Sequence, residues 1–231
     1  MIVFKHTAWE KYFVLDAQKI SVLAVENPAT LFCYCKDLIG QASGEGGEFR
    51  ILKNFAEQAF DKNCVVETNV PGITLNTKKL QTALVKKCTE LALSPEFELR
   101  LGKLSASLYD FCRSVCQDTG YSIELDEDID TPGLFKLFSL SLKESFKSLL
   151  EKLIEYVNVN AEFLKVKIYV FLFLTKFLSS REVAQFFEHC RYQGISLILV
   201  EESFPKFFDN DKIPYQGLIV DSDGFEITKK L

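Results

Sequence analysis

Five carboxylates fall within seven residues in Glu124-Leu-Asp-Glu-Asp-Ile-Asp130, immediately before Thr131-Pro132-Gly133. So much like charge in one short stretch repels itself unless a cation, a helix N-terminus or water neutralises it. Two readings follow: a divalent-metal site, and a solvated acidic loop that leads into a helix.

Other chemistry is conspicuous by residue type and then excluded by context. The first apolar strand runs into Val25-Glu26-Asn27-Pro28-Ala29-Thr30, the place where a phosphate-binding fold carries a glycine-rich turn. That turn has neither a glycine to bring backbone to phosphate nor a lysine to meet its charge, and Glu26 would repel the anion. The later apolar run Ile168 to Leu174 ends without the carboxylate that would hold magnesium beside a phosphate. An active NTPase is therefore not expected. His6 and His189 sit in separate segments without a serine or cysteine partner of elbow type, and both read as structural. A metal-dependent nuclease built on the acidic run is the alternative enzyme. Such sites need spaced carboxylates and often a strand lysine, whereas this cluster lies beside a helix start with no lysine between it and Lys136.

The 231 residues suffice for one large domain or a domain with a subdomain. Apolar residues make up 48% and charged residues 26%, ordinary for a folded chain, although 21 Phe against one Trp favours large apolar contacts and a buried subunit interface. The formal net charge of −5 removes any global attraction to nucleic acid, so a nucleic-acid contact must use segregated Lys and Arg. Seven cysteines form no CxxC pair and read as reduced core thiols of a cytosolic protein without a signal peptide. The longest apolar run, broken by Thr175 and Lys176, is far short of a membrane span.

The elements form two groups. Lys19 to Val25 reads as a strand, Asn27 as the cap and Pro28 as the first residue of a helix to about Ile39. Gly40 to Gly47 ends it before strands at Phe49 to Leu52 and Cys64 to Thr68. Near the other end, Lys167 to Leu174, a helix capped by Ser179 or Ser180 and ended by Gly194, and the strand Ile195 to Val200 make a βαβ unit. Gly217 to Val220 and Phe225 to Thr228 resemble a hairpin. Residues 75–157 are different: three amphipathic helices, with stripes Leu80, Leu84, Cys88, Leu91, then Phe97, Leu101, Leu104, Leu108, Phe111, then Leu142, Phe146, Leu149, Leu153, Tyr156, whose first job is core packing. Asn76 or Thr77 caps the first and Thr131-Pro132 opens the last. The expected fold class is α/β: a discontinuous head, residues 1–74 and 160–231, with a central mainly parallel sheet related to P-loop NTPase folds that have lost the nucleotide, plus an inserted α-helical leg lobe, residues 75–159.

Thr68-Asn-Val-Pro-Gly-Ile-Thr-Leu-Asn76, Ile123-Glu-Leu-Asp-Glu127, Leu134-Phe-Lys136, Leu150-Glu-Lys-Leu-Ile-Glu155, Lys167-Ile-Tyr-Val-Phe-Leu172, Leu178-Ser-Ser-Arg-Glu-Val183 and Ile195-Ser-Leu-Ile-Leu-Val-Glu201 occur in this order and spacing. Together they resemble the ring-forming accessory protein of type II-A CRISPR spacer acquisition, patchily from Ile20 to Thr228. The resemblance implies a cytoplasmic homotetramer that encircles double-stranded DNA, prefers free ends, catalyses nothing, and serves antiviral defence alongside the CRISPR integrase and the RNA-guided effector nuclease. It also implies structural calcium between head and leg. The matching positions are Glu124, Asp126 and Glu155, with Asp130 matching by a slipped alignment. Ser122 and Gly133 stand where the family pattern has acids, and Asp128 or Asp130 compensates. Oxygen-only ligands from a flexible run and one helix suit calcium, which accepts six to eight oxygens in irregular geometry, although the run is not an EF-hand loop.

For DNA, Lys79 and Lys86 share a helix face one heptad apart, with Lys78 beside them, opposite the leucine stripe. Lys143, Lys147 and Lys152 on the last long helix are a second set. Either set is also what a solvated helix face looks like. A ring repeats each lysine by its subunit number, so an acidic chain can still line a basic hole. The other non-enzymatic reading is an interaction scaffold derived from an inactive NTPase.

Overall fold

In the computed structural model, which describes residues 1–126, 128–210 and 213–230, the N-terminal residues alternate between buried and partly buried positions and form β1 (Ile2–His6), followed by β2 (Phe13–Leu15). β3 (Ile20–Val25) is buried at all six positions, as a central strand covered on both faces must be. Asn27 then caps α1 (Pro28–Ala42), its side chain accepting from the N–H groups of Ala29 and Thr30. β4 (Phe49–Lys53), β5 (Ala56–Gln58), α2 (Phe60–Asn63) and β6 (Cys64–Glu67) follow. A helical stretch comprises α3 (Lys78–Ala92), α4 (Pro95–Asp118), α5 (Thr131–Leu137) and α6 (Leu149–Val159). The chain closes with β7 (Ile168–Leu172), α7 (Ser180–Tyr192), β8 (Ser196–Glu201), α8 (Phe207–Asn210), β9 (Tyr215–Val220) and β10 (Glu226–Lys230).

Two sheets result. One is antiparallel in the order β2-β1-β4-β5, and the other runs β10-β9-β3-β8-β7-β6, parallel except for the β9–β10 hairpin. The fold class is therefore α/β with a mostly parallel sheet. The chain divides into two compact units, Met1–Thr74 with Glu144–Leu231, and Leu75–Lys143.

Within the first unit, period-two alternation sends β7 to two cores. Ile168, Val170 and Leu172 join Leu23, Ile198 and Val200 against α1 and the antiparallel sheet. Tyr169 and Phe171 face the other way, where Tyr169 meets Tyr156 of α6 and Phe171 meets Phe186 of α7 edge-on at 5.6 Å. Ser179 and Glu182 form a reciprocal capping box on α7, and Gly194 ends it at φ +65°, a conformation that costs glycine nothing. α1 runs past the expected end at Ile39 because Gln41 is needed in its last turn. Gln41 is 6% exposed, its Nε2 donates to the Phe49 carbonyl, and its Oε1 accepts the Phe49 N–H, both at 2.9 Å. Gln41→Leu orphans that donor and acceptor together, and should cost about 2–4 kcal/mol, read as a lower urea midpoint at unchanged slope.

Four expectations need correction. Thr131-Pro132 opens only the short α5, and a separate helix, α6, begins after Ser148, whose hydroxyl accepts the Glu151 N–H. α6 lies in the first unit, since Leu153 and Val157 are fully buried there, so the helical unit ends at 143 and not at 159. The α4 stripe is not core, because α4 has no buried residue and Phe111 is 66% exposed. Of the cysteines, only Cys64 and Cys190 are buried, and Cys33 and Cys112 are exposed. Among the described residues no helix is long and apolar enough to cross a membrane.

Candidate nucleic-acid interface and acidic run

Thr77 opens α3 by accepting the Leu80 N–H. Asn76, the other capping candidate, instead clamps Leu142: its Nδ2 donates to the Leu142 carbonyl and its Oδ1 accepts the Leu142 N–H at 2.7 Å. The second unit is thus tied at both ends, and α3 packs on α5 and α4.

Lys78 and Lys79 occupy the first turn of α3, where no acidic residue stands. The helix dipole makes that turn electropositive, so lysines there oppose the dipole at about 0.3–1 kcal/mol each while adding to the attraction for an anion. Lys78, Lys79 and Lys86 are all exposed. Lys86 reaches Glu90 at 4.0 Å with side chains 78% and 60% exposed, an ion pair too solvated to hold the ammonium back from a phosphate. Lys78 and Lys86 also line a groove of about 800 Å³ between α3 and α5, together with Lys136. Spacing alone could not group Lys136 with these lysines, because α5 and α3 are far apart along the chain.

The second lysine set does not form one helix face. Lys143 and Lys147 both precede α6, since Ser148 caps it, and only Lys152 is helical. Lys147 belongs to the first unit, where its N–H donates to Glu151, and Lys152 pairs with Glu144 at 3.5 Å. Lys143 closes the second unit.

In the acidic run Glu124, Asp126, Asp128 and Asp130 are exposed, and Glu127 lies outside the described residues. The Asp128 N–H donates to Asp126 Oδ1 at 3.1 Å. Asp130 stands before α5 without capping it, and its carboxylate lies over the first turn, where a Cβ on Gly133 would come within 2.2 Å of Oδ2. A side chain there would displace Asp130. Glu155 is exposed on α6, in the first unit. Among the described residues no three acidic, histidine or cysteine side chains are grouped to hold a metal. The donor chemistry suits calcium, and the exposed carboxylates would have to be gathered by the ion itself.

The N-terminus of α1, where a phosphate-binding turn would stand, is capped by a side chain. At the carboxyl end of β3 the Asn27 amide already takes the Ala29 and Thr30 N–H groups that a phosphate would need. The acid at this edge of the sheet that sequence reasoning missed is Glu201, ending β8. It is 1% exposed, Oε1 accepts the Thr175 N–H, and burial raises its carboxyl above the usual range. It pins the loop after β7. His6 Nδ1 accepts the Ala8 N–H, and burial holds its imidazole below the usual value against the pull of Asp37 and Glu48, while His189 Nε2 meets Asn158 Oδ1 at 2.7 Å.

The family CRISPR-associated protein (Cas_Csn2) matches residues 41–223. Similar solved structures include the ADP conformation of an ATP-binding cassette of an ABC transporter, 9% identical with a TM-score of 0.48, covering 100% of this chain and 91% of that one. Another is the ATP-binding subunit of an ABC transporter, 15% identical with a TM-score of 0.47, covering 100% and 90%. Among curated proteins there is no match.

Proposed function

This chain belongs to the Cas_Csn2 family of type II-A CRISPR-associated proteins, which places it in spacer acquisition, and from that premise we propose that it is a non-catalytic, cytoplasmic homotetrameric ring that holds double-stranded DNA by its ends. The observation that carries the DNA reading is the exposed, acid-free first turn of α3 with Lys78, Lys79 and Lys86 along the helix. Phosphate contacts of this kind position a duplex without reading its sequence. The bare apolar stripe of α4 supports self-association, because an exposed stripe of that length costs solvation until another surface covers it. The capped N-terminus of α1 supports the absence of nucleotide chemistry.

Calcium is the structural ion in this reading. The carboxylates offered to it are Glu124, Asp126, Asp128 and Asp130. When bound, the ion would neutralise the mutual repulsion of the run. The integrase and the RNA-guided effector nuclease are the partners in this reading.

Gel-shift titration against linear and covalently closed circular duplexes, with calcium and after exhaustive chelation, tests both parts. Linear DNA should be retained over the closed circle, affinity should fall steeply with salt, and chelation should weaken retention and shift light scattering. Equal retention of both forms would refute end binding. Unchanged scattering and affinity after chelation would remove calcium, and cleavage of the linear duplex with magnesium would show an enzyme.

A further inference from the structure

The groove between α3 and α5 lies wholly within the second unit, and its volume of about 800 Å³ falls in the range of ligand-holding sites. Its α3 wall runs from Lys78 in the first turn to Leu93 just past the last, about 22 Å at 1.5 Å per residue. Val85 and Leu93 bring apolar groups from α3, and Pro132 and Leu140 bring them from α5 and the residues after it. Thr82 and Thr89, which also line the groove, spend their hydroxyls on the α3 backbone, donating to the Lys78 and Val85 carbonyls at 2.9 and 2.8 Å. The floor therefore offers contact area and few free hydrogen-bonding groups.

The rim is cationic on both walls. Lys78 and Lys86 stand on α3, about 12 Å apart along its axis, and Lys136 stands on α5. All three are exposed, and Glu90, an acid in the same lining, lies 4.0 Å from Lys86, so these four side chains leave the rim net positive.

A polymer that fits must carry anions at its margins and turn apolar faces to the floor. A paired duplex supplies only the anions, because its base faces are stacked inside the helix and its phosphates alone reach such a surface. An unpaired strand supplies both, since its bases turn out of the stack while a phosphate stays beside each of them. Unpaired nucleotides of this kind occur at a frayed or overhanging terminus, and a closed circle has no terminus.

We propose that the α3–α5 groove takes the unpaired nucleotides of a DNA terminus, with phosphates on Lys78, Lys86 and Lys136 and bases on the floor around Val85. This rests on the DNA-end reading above and gives it a physical cause within the unit that carries the α3 lysines. An aliphatic floor responds to base area and not to base edges, so the contact should be indifferent to sequence.

The test uses the full-length protein with duplexes that end blunt, in a short single-stranded overhang, or in the same overhang made abasic, and with a closed circle. Wild type should bind the overhang at least about fivefold tighter than the blunt end, and 2-aminopurine in the overhang should change its fluorescence on binding. The abasic overhang, equal in charge, should bind no better than the blunt end. Val85→Gln should lose the overhang gain and keep blunt-end affinity, whereas Val85→Leu should keep both. Each variant should unfold within about 3 °C of wild type, since Val85 is only partly buried. Equal binding of blunt and overhanging ends overturns the inference, as does a full gain from the abasic overhang or a gain that survives Val85→Gln. An acidic amphipathic peptide that binds wild type but not Val85→Gln, with no overhang gain beside it, assigns the groove to a protein partner and overturns the inference too. Failure to bind any of the DNA forms, the blunt duplex included, is a separate result that overturns the DNA reading itself.

Discussion

Replacing Lys78, Lys79 and Lys86 together by glutamate should lower affinity for linear duplex at least about 100-fold at 100 mM salt, the largest functional effect expected of any surface change. Two of these lysines sit in the acid-free first turn of α3 and the third a further two turns along it, all exposed. Reversal therefore removes the cations and sets carboxylates at the same positions. Each phosphate left without its lysine should also flatten the dependence of log affinity on log salt by about 0.9. Folding should not suffer, because acids in a first turn agree with the helix dipole and no buried side chain is touched. A variant with wild-type affinity and salt slope would move the interface off α3, and Lys147, in the first unit, would be the next position to reverse.

The largest stability effect is expected at Phe171. Its ring is fully buried, 6.3 Å from Tyr169 on the same strand and edge-on to Phe186 of α7. Phe171→Ala should cost about 3–5 kcal/mol, from the forfeited transfer energy and the cavity left behind, and lower Tm by about 6–20 °C. Phe171→Leu, which refills most of the volume, should cost about 1 kcal/mol. A destabilisation below about 1 kcal/mol in Phe171→Ala would mean that α7 does not seal that face of the sheet.

The βαβ segment was legible because its residues answer to local rules. Asn27-Pro28 caps α1, Ser179 with Glu182 boxes α7, and the all-apolar run of β7 belongs to a strand covered on both faces. The antiparallel sheet of β1, β2, β4 and β5 was only partly visible, since β2 and β5 have three residues each and too few alternations to declare a period. The helical region misled for a different reason. A stripe on a helix says that a face is apolar and nothing about what covers it, so the stripes of α4 and α6 looked alike although α4 is uncovered and α6 is buried on Tyr169. The shared helix face of the α3 lysines follows from spacing, whereas the place of Lys136 beside them needed the α3–α5 packing and that of Glu201 the β7–β8 pairing. The carboxylates of the acidic run stand at exposed positions and form no metal-holding group among the described residues, so their closeness in sequence does not carry over into a cluster.

The Asn27 side chain occupies the berth at the mouth of β3 that a triphosphate would otherwise claim. On the proposed reading, a protein corked in this way would carry no gauge of cellular energy charge. On that reading its grip and release would follow the supply of DNA termini and of free divalent ion, and a starving cell and a well-fed one would find it equally ready.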